Sequence, residues 1–381
     1  MEFYKNFFSD YKDRLSKIEV CDVTLRDGEQ TPGVSFTREE KIDIAGKLDE
    51  VGVDVIEAGF PIVSKEEAKI VREIANLGLC AKTCALSRAT KCDIDCVASC
   101  DINIVAIVFG TSDLHLKYKH KTTKQEAIEK ATSALDYAKE YGLTVRFAAE
   151  DATRTDLDFL KEYLLAGEKH GADMFSIADT VGILSPDAMR FLVEEIKKVS
   201  DIPICIHCHD DLGMALANTL SGAQAGAKQL HTTVNGIGER AGNTPLEELL
   251  SALYVQYGVN SYDLTLIHEL SEMVKNYSGI DISKNKAVVG RHAFAHESGI
   301  HVAAVLEEPM TYEPFSPELV GSEREFVLGK HTGKRGLRYM LEKEGHDIRD
   351  VELDSILENI KDKASINKFI SQKELKNLVF E

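Results

Sequence analysis

Eight short runs rich in β-branched residues recur between residues 17 and 235, and this repeat constrains the fold more than any other feature. The runs are separated by amphipathic segments. Their mean spacing of about thirty residues is the length of one β-strand followed by one α-helix. The runs cover residues 17–24, 53–59, 79–86, 103–110, 143–150, 173–179, 203–210 and 228–235. The pattern therefore predicts eight successive βα units.

Helix signals stand between the runs. Thr37-Arg38-Glu39-Glu40 has the spacing of a capping box, and Gly52, Gly142, Gly171 and Gly226 follow helical patterns as C-terminal caps do. Eight such units predict an α/β fold, a (β/α)₈ TIM barrel over residues 1–280. The alternative is an open doubly wound sheet, which normally carries Gly-x-Gly-x-x-Gly after its first strand. Here that turn reads TLRDGEQTPG, which favours the barrel.

The regular strand period ends near residue 280, while helical patterns continue. We therefore expect a helical C-terminal subdomain over residues 281–381, with a linker at 308–320 and no regulatory domain after it. Segment 294–301 carries two histidines, and segment 329–334 is rich in glycine and lysine. The second lacks the spacing of a P-loop. Either segment is expected to form a lid on the barrel or to cap helices.

The composition excludes several classes of ligand and location. The chain of 381 residues has 45 Lys and Arg against 63 Asp and Glu, a net charge of −18, which argues against nucleic acid because phosphate binding needs a basic face. No stretch reaches the roughly eighteen apolar residues of a membrane span, and the start lacks a signal-peptide core. With eight cysteines and no export signal, we expect a cytoplasmic protein with reduced thiols and no membrane contact.

Polar side chains end at least seven of the eight predicted strands, where the active site of such a barrel lies. This pattern favours an enzyme over a structural or binding protein. The residues are Arg26, Asp27, Glu29, Gln30, Glu57, Ser87, Arg88, Glu150, Asp151, Asp179, Thr180, His207, His209, Asp210, Asp211, Asn235, Glu239, Arg240 and Asn243.

His207-Cys208-His209 is the sharpest local signal. Residues i and i+2 of a strand point to the same side, so both imidazoles project together. With Asp27 as a third ligand and Asn243 nearby, we expect a site for Mg²⁺, Mn²⁺ or Zn²⁺, with open positions for a 2-oxo acid. The alternative is a pair of histidines that only makes structural hydrogen bonds.

Arg146 and Glu150 lie on one face of the fifth predicted strand. A buried arginine needs a partner, since an unpaired buried charge is very costly. Two alternatives stay open. Arg146 pairs with Glu150 or another protein carboxylate, or it holds the distal carboxylate of a dicarboxylic substrate as a bidentate pair.

Four motifs resemble those of the 2-isopropylmalate, homocitrate and citramalate synthases. They are DVTLRDGEQ at 22–30, HCH at 207–209, NGIGERAGN at 235–243 and HESGIH at 296–301, and the resemblance runs over about residues 18 to 375. It implies a TIM barrel, a divalent metal and a homodimer whose C-terminal segments reach the partner's site. It also implies that acetyl-CoA condenses with a 2-oxo acid and that the thioester is then hydrolysed.

The resemblance also implies roles for individual residues. Arg26 would stabilise the developing alkoxide or enolate, and Glu150 and His301 would act in acid–base chemistry. The metal ligands would be Asp27, His207, His209 and Asn243. The substrate would be bound by Gln30, Glu57, Arg88, Arg146 and Thr180.

Within this family the Arg-x-x-x-Glu of Arg146 and Glu150 is similar to the homocitrate synthases, whose acceptor is 2-oxoglutarate. Ala148 and the segment TCALSR at 83–88 depart from that pattern. We expect homocitrate synthase activity, an acyl transfer that turns an acyl into an alkyl group. The alternatives are a sibling synthase for 2-oxoisovalerate or pyruvate, with an apolar pocket and Arg146 paired internally, and a metal-dependent aldolase or lyase that does not use CoA.

Overall fold

The computed structural model describes residues 8–346 and 349–367. The end of the predicted second domain, residues 368–381, therefore lies outside the described residues. Contacts between Cα atoms divide the chain into two compact units, Met1–Asp281 and Ile282–Glu381. No helix among the described residues is long and apolar enough to cross a membrane.

The first unit contains a closed barrel of eight parallel strands that pair in sequence order. The barrel closes between its first and last strands, where Val20 lies opposite Leu230. This topology confirms the predicted TIM barrel and excludes the open sheet. The strands are β1 (Glu19–Asp22), β2 (Val55–Glu57), β3 (Lys82–Arg88), β4 (Ile104–Gly110), β5 (Thr144–Glu150), β6 (Met174–Asp179), β7 (Ile204–Cys208) and β8 (Gln229–Thr232).

Helices of the first unit alternate with the strands. The predicted capping box is present, because the Thr37 hydroxyl accepts from the Glu40 amide and the Glu40 carboxylate accepts from the Thr37 amide. The helices are α1 (Lys12–Leu15), α2 (Arg38–Val51), α3 (Lys65–Ala75), α4 (Lys91–Ala98), α5 (Lys124–Glu140), α6 (Leu157–Lys169), α7 (Pro186–Lys197), α8 (Ala215–Ala225), α9 (Leu246–Tyr257) and α10 (Ile267–Ser278).

Short helical turns occupy several loops of the first unit. One of them, His115–His120, is a π-helical segment that follows β4. The 3₁₀ turns are Ser9–Tyr11, Gly28–Gln30, Pro61–Val63, Ala152–Arg154, Val234–Gly236 and Leu264–Leu266.

The interior of the barrel is apolar toward the amino ends of its strands. A buried cluster there joins Cys21, Val55, Cys84, Ile104 and Ala106 from four neighbouring strands. Because inward positions recur every second residue, the same strands present polar side chains further along, at their carboxyl ends. The apolar layer thus supports the layer that carries the candidate site.

The second unit packs helices around one apolar cluster. The cluster includes Leu337 and Leu341 of α12 and Leu357 and Ile360 of α13. The elements are β9 (Ala295–His296), α11 (Gly299–Glu307), β10 (Glu325–Phe326), α12 (Lys334–Lys343) and α13 (Asp350–Asn367), with 3₁₀ turns Pro309–Thr311 and Pro317–Val320. The pairing of β9 with β10 was not expected, since two residues are too short to leave a periodic pattern.

The two motif segments of the second unit pack against each other. The Gly299 amide donates to the carbonyl of His331 at 2.8 Å, and a Cβ on Gly299 would come within 2.7 Å of the Gly333 Cα. Only glycine at these positions permits this approach of two backbones. The segments 294–301 and 329–334 therefore form one structure within this unit.

Candidate functional site

A cavity of about 510 Å³ opens at the carboxyl ends of the barrel strands. Its walls combine charged groups with small and apolar side chains such as Leu86, Val108 and Ala148. The predicted site residues among its lining are Arg26, Asp27, Gln30, Arg88, Arg146, Glu150, Thr180, His207 and His209. The fold thus brings most of the predicted set to one place.

Asp27, His207 and His209 meet in one buried cluster. The Asp27 Oδ2 atom lies 3.3 Å from His207 Nε2 and 3.8 Å from His209 Nε2, and the two Nε2 atoms are 3.3 Å apart. Both histidines project inward from the end of β7, as the i and i+2 spacing predicts. Cys208 between them is buried on the other side of the strand.

The protonation states of the cluster suit metal ligands, which must bind in their deprotonated forms. Burial alone would raise the pKa of Asp27, but Arg26 and the two histidines lower it well below its usual value. Burial and the charge of His207 lower the pKa of His209 to about 4. The cluster therefore offers a carboxylate and a neutral imidazole at neutral pH.

Unsatisfied polar atoms support the same interpretation. Asp27 Oδ2 and Asn243 Oδ1 are buried and have no hydrogen-bond partner. Asn243 lies beside the cluster, because its backbone forms a bridge with that of His209. Buried polar atoms without partners are rare and call for an explanation. Nitrogen and oxygen donors at this spacing fit a divalent metal.

Arg26 lies at the edge of this cluster with its guanidinium fixed in two directions. Its Nη1 donates to Asp27 Oδ1 at 2.6 Å, and its Nε donates to Glu57 Oε1. The Arg26 side chain is 12% exposed, and it lines the cavity. A cation therefore faces the cavity directly beside the candidate metal site.

Arg146 lies deeper in the barrel and is paired within the protein. Its Nη2 donates to Glu57 Oε2, and its Nη1 contacts His231 Nε2 at 3.1 Å and Gln229 Oε1 at 3.2 Å. Of the two alternatives from the sequence, the structure has the internal pair. The partner is Glu57 rather than Glu150.

Glu57 joins the two arginines and does not itself line the cavity. Its side chain is fully buried. Burial alone would raise the pKa of Glu57, but Arg26 and Arg146 lower it to about 2. Substrate contact by Glu57 stays a prediction, and what the structure shows is its contact with both arginines.

Glu150 pairs with Lys119, whose Nζ lies 2.6 Å from its Oε2. Lys119 and His120 belong to the π-helical segment after β4 and also line the cavity. Neither residue was predicted, because both lie in a loop rather than at the end of a strand. The signal that could have found them is the basic run HLKYKHK at 115–121.

The cavity holds two further groups: His231, which was not predicted, and Arg240, which was expected at a strand end but was given no individual role. His231 on β8 lies with its Nδ1 3.3 Å from the Nδ1 of His207, and burial lowers the pKa of His231 well below its usual value. Arg240 pairs with Asp211 at 2.7 Å. Sequence spacing gives no signal for His231, because it stands alone in its strand.

The other predicted residues of the barrel keep local partners. Arg88 forms two hydrogen bonds with Asp93, at 2.7 and 2.9 Å, and its guanidinium lies 5.8 Å from the ring centroid of Phe60. The Thr180 hydroxyl accepts from the Asp151 amide at 2.8 Å. These contacts fix both side chains at the cavity wall.

His301 belongs to the second unit, where it lies on α11. Its ring stacks on that of Tyr312, with 4.0 Å between the ring centroids and 24° between the planes. Glu313, the next residue, is buried and pairs with Arg324 at 2.5 Å. This pair anchors the segment that carries Tyr312, a partner of His301 that the sequence analysis did not predict.

Family models match both parts of the chain. The model described as HMGL-like matches residues 17–274. The model described as homocitrate synthase post-HMGL domain-like matches residues 288–368.

The chain is similar to curated proteins over nearly its whole length. It is 53% identical to homocitrate synthase AksA of Methanosarcina mazei, over 99% of this chain and 94% of that protein. It is 46% identical to 2-isopropylmalate synthase of Methanocaldococcus jannaschii, over 95% of this chain and 71% of that protein.

Among solved structures, the barrel resembles HMG-CoA lyase of Bacillus subtilis. The TM-score is 0.65 at 20% sequence identity, over 71% of this chain and 97% of that one. At this identity the likeness concerns the fold. The family models and the curated relatives show that the chain belongs to the homocitrate synthase family of HMGL-like proteins.

Proposed function

We propose that the protein is a homocitrate synthase, an acyltransferase that condenses acetyl-CoA with 2-oxoglutarate. A carbon–carbon bond forms between the acetyl methyl carbon and the ketone carbon. Water then cleaves the thioester and releases CoA as a thiol. The observation that carries the proposal is the buried Asp27–His207–His209 cluster beside Arg26 at the mouth of the barrel, in a chain 53% identical to a homocitrate synthase.

The metal site would be formed by Asp27, His207 and His209, with Asn243 as a further oxygen donor. When bound, the divalent ion supplies Lewis-acid polarisation of the acceptor's ketone. His231 contacts His207 and would orient its ring, as the outer partners of metal-bound histidines do.

Arg26 would stabilise the negative charge that develops during condensation. Both the enolate of acetyl-CoA and the alkoxide of the product carry this charge on oxygen. A cation held in place before the reaction lowers the barrier without reorganising in the transition state. The contacts of Arg26 with Asp27 and Glu57 supply that fixed geometry.

Proton transfer would involve Glu150 and His301. The acetyl methyl group is a very weak acid, and a positioned base contributes roughly 10²–10⁴-fold to such a step. Glu150 faces the cavity and is held by Lys119. We also propose a homodimer in which His301 serves the barrel of the partner protomer, as the family resemblance implies.

The residues that line the cavity around Arg146 bear on which 2-oxo acid is the preferred acceptor. Arg146 places a cation at the cavity wall, which favours a dicarboxylic acceptor. Its pairing with Glu57 and the apolar side chains Leu86 and Val108 agree instead with the sibling-synthase alternative, which predicts an apolar pocket and an internally paired Arg146. The 46% identity to a 2-isopropylmalate synthase supports that second candidate.

The test is release of the CoA thiol from acetyl-CoA with Mg²⁺ or Mn²⁺, measured in parallel with 2-oxoglutarate, 2-oxoisovalerate and pyruvate. We expect the highest kcat/KM with 2-oxoglutarate. A clear preference for either monocarboxylate would keep the condensation and overturn the acceptor. No release with any of the three would overturn the proposed reaction.

Arg146→Met should separate the two roles of this arginine. We expect kcat/KM to fall much further with 2-oxoglutarate than with 2-oxoisovalerate, since only the former needs a distal cation. Because the substitution removes one partner of the buried Glu57, the variant Glu57→Gln/Arg146→Met controls for lost stability. Equal losses on both acceptors would remove Arg146 from the specificity argument.

A further inference from the structure

The loop after β4 has a charge opposite to that of the whole protein. Residues 115–124 contain four lysines, two histidines and no acidic residue, whereas the chain as a whole has a net charge of −18. The acid–base roles proposed above use Lys119 only, through its pair with Glu150. The remaining lysines of this loop have no function in the mechanism so far.

Three of these lysines surround a second cavity, of about 560 Å³. Lys117, Lys121 and Lys124 line it together with Leu116, Thr122, Thr123 and the two acidic residues Asp113 and Glu126. We call this cavity the lysine depression. The same loop also borders the catalytic cavity through Lys119 and His120. One short segment of chain therefore separates the reaction site from a basic surface.

A further cavity borders both of these cavities through shared lining residues. A third cavity of about 380 Å³ includes Ala89, Lys91, Glu126 and Lys130 in its lining. Ala89 is shared with the catalytic cavity, and Glu126 is shared with the lysine depression. The three cavities therefore neighbour one another between the barrel mouth and the lysines.

The cations of the lysine depression are poorly neutralised. Within residues 8–346 and 349–367, Lys117 and Lys121 make no ion pair, and the Lys117 Nζ contacts only the ring of Tyr118, at 5.0 Å from its centroid. Lys124 lies 3.9 Å from the carboxylates of Asp113 and Asp156, a long separation for an ion pair. Lysines without a close counter-ion create a positive potential, which attracts an anion of high charge.

The backbone holds this loop in a defined shape. His115–His120 is π-helical, and such segments occur frequently at functional sites. Lys121 ends it in the left-handed region, with φ at +50°, which costs free energy for a residue with a Cβ. The His120 ring stacks on Phe109, with 4.1 Å between the centroids.

We infer that the lysine depression binds the phosphates of acetyl-CoA, through Lys117, Lys121 and Lys124. This inference rests on the proposed function. Acetyl-CoA carries its thioester at one end of a long pantetheine arm and a phosphorylated nucleotide at the other. The arm would run along the neighbouring cavities, and the lysines would donate charge-assisted hydrogen bonds to the phosphates.

The test is the double variant Lys117→Gln/Lys121→Asn, assayed with acetyl-CoA and with acetyl-pantetheine, which lacks the nucleotide and its phosphates. Asparagine is chosen because it tolerates the left-handed backbone at position 121. We expect KM for acetyl-CoA to rise about 10-fold, as losing one to two charge-assisted contacts implies. The kcat, the KM for the 2-oxo acid and all constants with acetyl-pantetheine should stay unchanged.

The matched control is Lys65→Gln/Lys69→Gln, which removes two exposed lysines from α3. It should leave both acyl donors unaffected. For the wild type, added salt should raise the KM for acetyl-CoA more than the KM for acetyl-pantetheine, because salt screens exposed charges.

Three results would overturn the inference. They are an unchanged KM for acetyl-CoA in the lysine variant, equal losses with both donors, and a comparable loss in the control. Calorimetric binding of CoA alone to the wild type and the variant separates this outcome from failure of the proposed reaction. If neither donor turns over but the variant still binds CoA more weakly, the phosphate site stands and the proposed function fails.

Discussion

The two sides of the barrel mouth differ in how their charged side chains are partnered. On the side of β1 and β7, Asp27, His207 and His209 meet one another, and Asp27 Oδ2 and the nearby Asn243 Oδ1 have no hydrogen-bond partner. On the side of β4 and β5, Arg146 and Glu150 each already have a partner, Glu57 and Lys119. On the first side, atoms remain that a bound ligand can satisfy. On the second side, each charged group has a partner of opposite charge, although Arg146 Nε has no hydrogen-bond partner.

This difference has consequences for both ligand binding and stability. A buried polar atom without a partner costs roughly 1–3 kcal/mol, so a protein that keeps several of them in one place gains something in return. A buried ion pair has no such deficit, and it contributes to stability only when both partners remain. Substitutions that remove a carboxylate from the cluster or from a buried ion pair therefore test this difference.

The largest effect, on turnover, is expected for Asp27→Asn in the cluster of Asp27, His207 and His209. Loss of the carboxylate should lower turnover by at least about 100-fold, since even outer partners of metal ligands matter by roughly 10–100-fold. Metal content after dialysis and CoA-thiol release measure the two consequences. Asp187→Asn, at an exposed carboxylate in the first turn of α7, is the control. Full metal content together with full activity in the Asp27 variant would remove the metal site.

A large loss of stability is expected for Glu57→Gln, which removes the carboxylate paired with Arg146. The substitution leaves Arg26 and Arg146 without the carboxylate that they share, so the free energy of unfolding should fall by about 3–5 kcal/mol. Glu150→Gln is the comparison, because its partner Lys119 is half exposed and such pairs contribute about 0–1 kcal/mol. Urea unfolding of the two variants measures both values. Similar losses in both would contradict the distinction between the pairs.

A smaller effect is expected in the dependence of stability on pH. Arg26 and Arg146 lower the pKa of Glu57 from 4.5 to about 2, against the opposing effect of its burial. Between these values the unfolded chain binds more protons than the folded one, so stability falls as the pH drops from about 5 to 2. Urea unfolding at several pH values should show this slope in the wild type and a flatter one in Glu57→Gln.

Asp22 provides the opposite slope in the same experiment. Burial raises its pKa from 3.8 to about 7, although hydrogen bonds from Thr24 and Thr232 oppose the change. The folded protein therefore keeps a proton that the unfolded chain loses, and stability falls as the pH rises from about 4 to 7. Asp22→Asn should flatten this part of the curve. An unchanged slope would mean that Asp22 stays ionised in the fold.

The sequence predicted the barrel well because each strand is a local pattern. The run 143–150 corresponds to β5 at Thr144–Glu150, and the run 203–210 contains β7 at Ile204–Cys208. The predicted strand boundaries were less accurate where polar residues enter a strand. One example is β3, which begins at Lys82 rather than at residue 79. The two-residue strands β9 and β10 left no pattern to detect.

The candidate site was predicted in part, and the reason is again local. The pleat of one strand alone places His207 and His209 on the same side. Arg146 on β5 contacts Glu57 on β2 and residues of β8, and these strands are distant in sequence. Glu57 could therefore be identified as its partner only in three dimensions. Lys119 was missed because it enters the cavity from a loop rather than from a strand end.

Thiol labelling of the free cysteines can report when the barrel opens. Cys21, Cys84 and Cys205 are completely buried around Arg146, whereas Cys80 and Cys92 are exposed. A thiol-labelling reagent would modify the exposed pair at once and reach the inner three only when strands separate. The slow phase of labelling would thus time the rarest motions of the barrel, those that break its ring of strands.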